Sequence, residues 1–340
     1  MMRLPLFNFR APRTVDETAR ILDGEGSSAM LLAGGTDLIP NMKRRQQVPR
    51  TLVSIRHVEG LNILELGHVT TRLGSCITLT EIARDRRFGI ECSALWQAAS
   101  AVATPHIRNM ATLGGNICLD TRCLYYDQNY EWRKAINFCM KKEGDTCWVA
   151  PGSDRCMAVS STDTAPALIA LGAHVRLRSR SEERDVALID LYNDDGMSYL
   201  TRKPNEILTE IRLGGLEGWK STYWKLRRRG SFDFPVLSVA AAARSDGGGV
   251  IQEARIVLGA VASRPLLADE AAKALLGRKL DQDAIAEAAA LASRIAKPLS
   301  NTDFDMSWRK KVTSEFVTYA LRELRGDDMS SECRQLSGHN

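Results

Sequence analysis

Four cysteines lie in a stretch that directly follows a glycine-rich turn, and this pairing constrains the chain more than any other feature. The turn is Ala111-Thr-Leu-Gly-Gly-Asn116, and the cysteines are Cys123, Cys139, Cys147 and Cys156. Consecutive glycines let backbone N–H groups converge on an anion such as a dinucleotide pyrophosphate. Four thiolates are a ligand set for an iron–sulfur cluster. Together the two motifs predict two redox groups on one polypeptide, and therefore an electron relay.

The chain has eight cysteines, which we interpret as reduced thiols. The N-terminus has no apolar core followed by a small-residue cleavage site, and no apolar run approaches the roughly 18–20 residues of a membrane span. We therefore expect a cytoplasmic protein without membrane association, in a compartment that keeps thiols reduced. Cys76, Cys92 and Cys333 lie away from the other five cysteines and are predicted to be buried or incidental thiols.

The spacing of the four cysteines does not by itself identify a metal. The intervals of 15, 7 and 8 residues are unlike the tight pairs of zinc ribbons or bacterial ferredoxins. All-thiolate ligation selects an iron–sulfur cluster or zinc, and a loop without metal also remains open. Cys118 is a fifth thiol nearby, for which a buried neutral role is expected. Aromatic residues that could cover a cluster crowd into the same stretch: Tyr125, Tyr126, Tyr130, Trp132, Phe138 and Trp148.

The charge pattern argues against a nucleic-acid-binding protein. The net charge is +5, but the basic residues are scattered along the chain and only 6% of the residues are aromatic. A nucleic-acid surface would place basic clusters and aromatics on one face. We interpret most of these charges as solvated surface, with some facing acidic partner subunits or a phosphate-bearing cofactor.

The length of 340 residues predicts two or three domains. Residues 1–57 form a small α/β unit, with a helix capped by Thr14 and strands at 30–33 and 52–55. Residues 58–217 predict an antiparallel sheet with helices on one side, from strands at 61–64, 68–73, 173–178 and 206–211 and a helix at 93–102.

A third domain is predicted at residues 221–326, after a linker at 215–218. Its expected strands are 221–227, 238–244 and 254–261, and its expected helices are 268–276, 283–296 and 308–325. The tail, residues 327–340, is polar and expected to be disordered.

A second glycine turn, Gly34-Gly35 followed by Thr36, stands where a predicted strand ends. Neither turn matches the six-residue glycine fingerprint of a Rossmann fold or the lysine-bearing phosphate loop. The two turns therefore indicate a dinucleotide pocket of another kind, or plain tight turns.

Three motifs carry a resemblance to a known family: Ala33-Gly-Gly-Thr-Asp-Leu38, Ala111-Thr-Leu-Gly-Gly-Asn-Ile117, and Ser160-Ser-Thr-Asp163 before Ala165-Pro-Ala-Leu168. They resemble the FAD-binding subunit of the xanthine oxidase family, which includes the medium subunits of molybdenum hydroxylases and carbon monoxide dehydrogenase. The resemblance covers essentially the whole chain. It implies an α+β protein, with a PCMH-type FAD-binding fold of two α/β subdomains and a C-terminal antiparallel sheet-and-helix domain.

Most members of that family lack the segment at about 118–158, hereafter the cysteine insert. Its motifs, Cys118-Leu-Asp-Thr-Arg-Cys123, Phe138-Cys139, Gly144-Asp-Thr-Cys147 and Ser153-Asp-Arg-Cys156, are similar to one branch, the β subunit of 4-hydroxybenzoyl-CoA reductase. The resemblance implies that Cys123, Cys139, Cys147 and Cys156 hold a [4Fe–4S] cluster.

The resemblance also implies roles for individual residues. Asp163 would contact the adenosine ribose or nearby polar atoms, and Lys225 would lie by the isoalloxazine, where a cation favours reduced flavin. Thr104 is a candidate flavin contact, whereas His106 and Arg108 either touch FAD or cap a helix. The pyrophosphate would lie between two loops, Leu31, Leu32, Ala33, Gly34, Gly35, Thr36, Asp37 and Leu38 on one side and Thr112, Leu113, Gly114, Gly115 and Asn116 on the other.

The assembly implied by the resemblance is a heterotrimer, often doubled. A large subunit carries the molybdenum cofactor and a small subunit carries two [2Fe–2S] clusters. Electrons from ferredoxin would pass through the [4Fe–4S] cluster and FAD to the small subunit, and molybdenum would reductively dehydroxylate 4-hydroxybenzoyl-CoA to benzoyl-CoA. Two alternatives stay open: the FAD subunit of a related hydroxylase that sends electrons outward, and a flavoprotein with a zinc-stapled docking loop.

Overall fold

The computed structural model describes residues 3–67 and 69–332. The first unit is a parallel three-stranded sheet, in the order β1-β3-β2, with helices beside it. Thr14 caps the first helix, as the sequence predicts, because its side chain accepts the Glu17 N–H at 3.1 Å. The elements are β1 (Asn8–Arg10), α1 (Val15–Glu25), β2 (Ala29–Leu32), α2 (Leu38–Lys43) and β3 (Thr51–Ser54).

The second unit is a five-stranded antiparallel sheet in the order β4-β5-β8-β6-β7. Its core lies between this sheet and two apolar helices, α5 and α9, whose inward residues are buried. The elements are β4 (Leu64–Glu65), β5 (Thr71–Gly74), α3 (Leu79–Arg84), α4 (Arg86–Glu91), α5 (Ser93–Ala101), α6 (Pro105–Arg108), α7 (Leu113–Ile117), α8 (Tyr130–Ala135), α9 (Thr164–Ala170), β6 (His174–Arg178), β7 (Glu183–Ala187) and β8 (Ile207–Leu213).

Two strand predictions in this unit differ from the structure. The strand expected at 61–64 begins only at Leu64, because the Leu61 backbone is bonded to Val58 and Cys76 instead of to a strand. The strand expected at 68–73 begins at Thr71, and His68 lies outside the described residues.

The third unit is a four-stranded antiparallel sheet in the order β12-β11-β10-β9, with three helices. Arg309 fixes the start of its last helix by donating to the carbonyls of Val236, Leu299 and Ala260 at 2.9, 2.9 and 2.6 Å. The elements are β9 (Trp219–Leu226), β10 (Leu237–Ser245), β11 (Ile251–Gly259), β12 (Leu266–Leu267), α10 (Asp269–Lys273), α11 (Gln282–Ile295) and α12 (Met306–Arg325).

Strand β10 joins the second and third units because both of its faces are buried. Ala240 and Ala242 pack into the core of the second unit, whereas Val239, Ala241 and Ala243 pack into the core below α11 and α12. Successive side chains on a strand point to opposite faces, so an unbroken small apolar run serves two cores at once.

The segment expected to be a disordered tail starts after α12. Asp327 pairs with Arg322 and Arg325, and Met329 is buried in the core of the third unit, so the segment through residue 332 packs on the protein. Residues 333–340 lie outside the described residues. Across the described part of the chain, no helix is both long enough and apolar enough to span a bilayer.

Candidate functional site

A cavity of about 630 Å³ lies between the first and second units, and one loop of the third unit borders it. Twelve of the residues predicted to bind FAD line this cavity: Leu31, Ala33, Gly34, Gly35, Thr36, Asp37, Leu38, Thr112, Gly114, Gly115, Asn116 and Asp163. Four others do not line it: Leu32, Thr104, Leu113 and Lys225. The structure therefore brings both glycine turns to one cavity of the size that a ligand site occupies.

The first glycine turn presents free hydrogen-bond donors to the cavity. Gly35 has a φ of 73°, a conformation that favours glycine. Within the part of the chain that the structure describes, the backbone N–H groups of Gly34, Gly35 and Thr36 donate to no protein acceptor. Successive N–H groups in such a turn form a concave anion site, so this loop suits a pyrophosphate.

The two turns touch each other through Gly34. A methyl group added at Gly34 would lie 1.9 Å from the carbonyl oxygen of Met110, the residue before the second turn. Only glycine permits this backbone approach, which sets the width of the cavity between the turns.

The second glycine turn differs from the first, because its N–H groups are already used. Leu113 donates to Ile77, Gly114 donates to Ser75, and Gly115 donates to the Thr112 side chain, at 2.8, 2.8 and 3.1 Å. The expectation that this turn also cradles an anion with these donors is not met. Leu113 is fully buried, and the turn contributes a close backbone wall instead.

Asn116 links the second turn to the segment around Asp163. Its side-chain oxygen accepts from the Thr162 hydroxyl at 2.9 Å and from the hydroxyl and N–H of Thr164 at 2.7 and 3.0 Å. These bonds fix the start of α9, and they thereby fix the position of the Asp163 carboxylate that borders the cavity.

Asp163 and Lys225 form a buried ion pair behind the cavity wall. The Lys225 ammonium lies 2.9 Å from the Asp163 carboxylate and also donates to the carbonyls of Ala101 and Asp233, while the Tyr223 hydroxyl donates to Asp163 at 2.6 Å. Burial raises the pKa of Asp163 and lowers the pKa of Lys225, against their mutual attraction. Lys225 does not itself line the cavity; it contacts two residues that do, Asp163 and Asp233.

The residues around Thr104 act locally. The Thr104 hydroxyl accepts the Ile107 N–H and caps α6, and Arg108 donates to the Val102 carbonyl at the end of α5. His106 is exposed on the same helix. Of the two roles left open for Arg108, the structure supports the helix cap.

Several cavity residues had no counterpart in the sequence analysis. Tyr199 and Arg202 lie between strands β7 and β8 of the second unit, and Phe232 and Phe234 come from the loop after β9. For Phe232 and Phe234 the sequence offered one signal, an aromatic pair within an arginine-rich loop. Cys118 also lines the cavity, and burial raises its pKa.

The four cysteines of the insert are all buried, with 5–7% of each residue exposed. Cys123, Cys139 and Cys156 share one small apolar cluster with Tyr126 and Ala158. Burial raises the pKa of Cys123 to about 12 and of Cys156 to about 11. The seven cysteines among the described residues are free thiols, with Cys76 and Cys92 buried as expected and Cys333 outside those residues.

No three His, Cys, Asp or Glu side chains in residues 3–67 and 69–332 are arranged to hold one metal ion. In a tetrahedral zinc site each sulfur is about 2.3 Å from the ion, which places the sulfurs roughly 3.8 Å apart. The insert as folded is therefore not a preformed single-ion zinc site.

Arg122 connects the cysteine insert to the first glycine turn. This nearly buried guanidinium forms an ion pair with Asp37, donates to Asn41 at 3.3 Å and lies 3.4 Å from Asp127. It also stacks over the Phe234 ring at 4.7 Å. The residue before Cys123 is thus part of the cavity wall.

Comparisons with known proteins agree with this arrangement. Residues 5–213 match the family described as "FAD binding domain in molybdopterin dehydrogenase", and residues 221–324 match the "CO dehydrogenase flavoprotein C-terminal domain". The chain is 32% identical over 247 residues to the aldehyde oxidoreductase FAD-binding subunit PaoB of Escherichia coli strain K12, covering 70% of this chain and 76% of that protein.

Relatives of carbon monoxide dehydrogenase match nearly end to end. The medium chain from Afipia carboxidovorans is 29% identical over 322 residues, covering 94% of this chain and 96% of that protein. A chain in the structure of reconstituted CO dehydrogenase from Oligotropha carboxidovorans has a TM-score of 0.79 and 26% identity, covering 95% of this chain and 99% of that one. The predicted fold class, a PCMH-type FAD-binding fold with a C-terminal antiparallel sheet domain, is confirmed.

Proposed function

Because the chain belongs to the family of FAD-binding medium subunits of molybdenum hydroxylases and carbon monoxide dehydrogenases, we propose that it is an electron-transfer subunit carrying both FAD and a [4Fe–4S] cluster. Its membership makes it an FAD-binding oxidoreductase subunit. The cluster, the partners and the substrate are the proposed part.

One observation carries the FAD site: three consecutive free N–H groups, from Gly34 to Thr36, border a cavity of about 630 Å³. Convergent N–H groups that make no bond within the protein are available to an anion in the cavity, so an anion is expected there. FAD supplies an exchange of one or two electrons when it is bound. The chain itself positions the pyrophosphate donors and places Asp163 at the wall of the cavity.

The [4Fe–4S] assignment rests on the cysteine insert. Its four cysteines are buried, and three of them (Cys123, Cys139 and Cys156) share an apolar cluster with Tyr126, as a cluster that must be shielded from solvent requires. In a cubane each thiolate binds a different iron, so the sulfurs stand farther apart than around one ion. No three described His, Cys, Asp or Glu side chains surround a single ion in this structure, and the metal content of the purified protein decides between a cluster and a zinc-stapled loop.

We propose 4-hydroxybenzoyl-CoA as the substrate of the whole complex, which would be reduced to benzoyl-CoA. The support is the run of cysteine motifs in the insert, similar to those of the reductase branch. The proposed partners are a molybdenum-cofactor large subunit, a small [2Fe–2S] subunit and ferredoxin as donor, in a dimer of heterotrimers. A cytoplasmic location suits the free thiols. The carbon chemistry would take place on the large subunit.

A second candidate reverses the direction of electron flow. The relatives include proteins named for the oxidation of carbon monoxide, glyceraldehyde and nicotinate. By that analogy this chain would be the FAD subunit of a hydroxylase that sends electrons outward. Purified complex that reduces 4-hydroxybenzoyl-CoA with reduced ferredoxin supports the first candidate, whereas substrate-driven reduction of an acceptor supports the second.

The decisive experiment is anaerobic purification of the complex, with quantitation of iron, sulfide and flavin and EPR of the dithionite-reduced protein. Relative to a complex with Cys139→Ser, the wild type should contain about four more irons and four more sulfides per copy of this chain, with equal FAD. Cys76→Ser changes a buried thiol of the first two units and should leave iron unchanged. Equal iron in all three proteins, or zinc in the wild type, would refute the cluster.

A further inference from the structure

Arg133 is a buried cation with no hydrogen-bond or ion-pair partner among the described residues. It belongs to α8 in the cysteine insert and is fully buried. None of its three guanidinium nitrogens has a hydrogen-bond partner among the described residues, and it is in none of their ion pairs. Burying a charge without compensation is strongly unfavourable, because the charge loses its hydration. An anion that is not part of the protein chain would compensate this charge.

The surroundings of Arg133 point to where that anion lies. The guanidinium is 5.9 Å from the centroid of the Phe138 ring, and the Phe138 N–H donates to the Arg133 carbonyl at 2.6 Å. Phe138 immediately precedes Cys139. The unpaired cation therefore lies in the insert against the residue that precedes Cys139, and it does not line the FAD cavity.

We infer that Arg133 is the counter-charge and N–H donor of the group held by Cys123, Cys139, Cys147 and Cys156, and that it raises the reduction potential of that group. The inference rests on the proposed cluster. A cubane with four thiolates is anionic and gains one further negative charge on reduction. A nearby fixed cation and N–H donors stabilise the reduced form more than the oxidised form, which moves the potential upward.

Other cations of the insert are already paired with carboxylates of the protein, so they are less available to a bound anionic group. Lys141 is paired with Asp120 at 2.7 Å, and Arg155 is paired with Asp194. Their charges are compensated within the protein. Lys134 is also unpaired but is exposed to solvent, so Arg133 is the buried cation of the insert whose charge the described residues leave uncompensated.

The test compares Arg133→Gln and Arg133→Lys in the full complex, purified anaerobically. Lys134→Gln removes the same charge from the neighbouring exposed position and is the matched control. Redox titration followed by EPR measures the midpoint potential of the cluster, and iron and flavin content show whether the insert and the cavity are intact. We expect Arg133→Gln to lower the equilibrium constant for reduction of the cluster at least tenfold. This corresponds to a fall of about 59 mV in the midpoint potential for one electron. Lys134→Gln should shift the midpoint potential of the cluster much less.

Each outcome decides the inference. Loss of iron from Arg133→Gln with retention in Arg133→Lys would also support it, because the charge alone would then hold the cluster. An unchanged potential in Arg133→Gln with full iron would overturn it and leave the proposed function intact. Loss of iron from both variants, with FAD retained, would assign Arg133 to packing and overturn the inference. A wild-type complex without cluster iron would overturn both the proposed function and the inference.

Discussion

Replacing Gly34 by alanine tests whether the contact between the two glycine turns shapes the FAD cavity. The new methyl group would lie 1.9 Å from the carbonyl oxygen of Met110 and 2.6 Å from its carbonyl carbon. Both are backbone atoms, so no side-chain rotation relieves the overlap. Because real contacts of this kind do not fall below 3.0 Å, the turns must separate by at least the difference, 1.1 Å.

The size of the effect follows from this separation. Overpacking of a well-packed site costs about 1–3 kcal/mol. Without FAD the turns can open and relieve part of the strain, but the bound state needs both walls of the cavity close to the ligand. The free energy of FAD binding should therefore weaken by about 1–3 kcal/mol, a loss of affinity of roughly 5- to 150-fold at about 1.4 kcal/mol per tenfold.

The assay is titration of the flavin-free chain with FAD by flavin fluorescence, together with urea unfolding of the same preparations. The control is Gly24→Ala in α1, where an added methyl group meets no atom within 4 Å. That variant should bind FAD normally and unfold with about 0.5–1 kcal/mol more stability, because alanine favours helix. If Gly34→Ala binds FAD as tightly as Gly24→Ala and loses no stability, the turns do not need their close contact and the reasoning is wrong.

Two further predictions concern buried charges. Lys225→Met should destabilise the fold by about 3–5 kcal/mol, since it leaves the Asp163 carboxylate buried without its cation; urea unfolding measures this, and Lys225→Met with Asp163→Asn should recover much of the loss. Burial alone would raise the pKa of Glu206, but hydrogen bonds from Arg184 and the Lys203 N–H lower this pKa below its ordinary 4.5. Glu206 thus stabilises the fold above that pH and loses this effect as the pH falls through the lowered pKa. The unfolding free energies of wild type and Glu206→Gln should converge toward acid pH, and a constant difference would contradict the assignment.

The local features of the site could be predicted from the sequence because each is a short-range property. Glycine pairs at the ends of strands, a Thr cap and a run of buried cysteines depend on residues that are neighbours in the chain. The first glycine turn follows this logic, and its N–H groups are free as expected for an anion site.

What sequence reasoning missed depends on packing between distant segments. The second turn has a similar sequence, but Ser75 and Ile77 from another part of the unit take up its N–H groups. Lys225 lies on a strand like many surface lysines, and only the tertiary fold turns it toward Asp163. Strand β7 was not predicted, because its charged residues suit an exposed edge and give no alternating apolar pattern.

The two backbone ends of the cysteine insert lie next to each other, which bears on how this segment could be gained or lost. Arg122 and Val159 exchange N–H to carbonyl hydrogen bonds of 2.8 and 2.7 Å, as neighbours in an antiparallel pair do. The two ends of residues 123–158 therefore stand side by side, at a distance that a two-residue hairpin turn can close. A single insertion or deletion at this point could add or remove the thiol-bearing segment while Asn116 and Asp163 keep their places. A variant with a short turn from 122 to 159 would lack the thiol-bearing segment, and its flavin content would show whether the flavin fold depends on the cysteines.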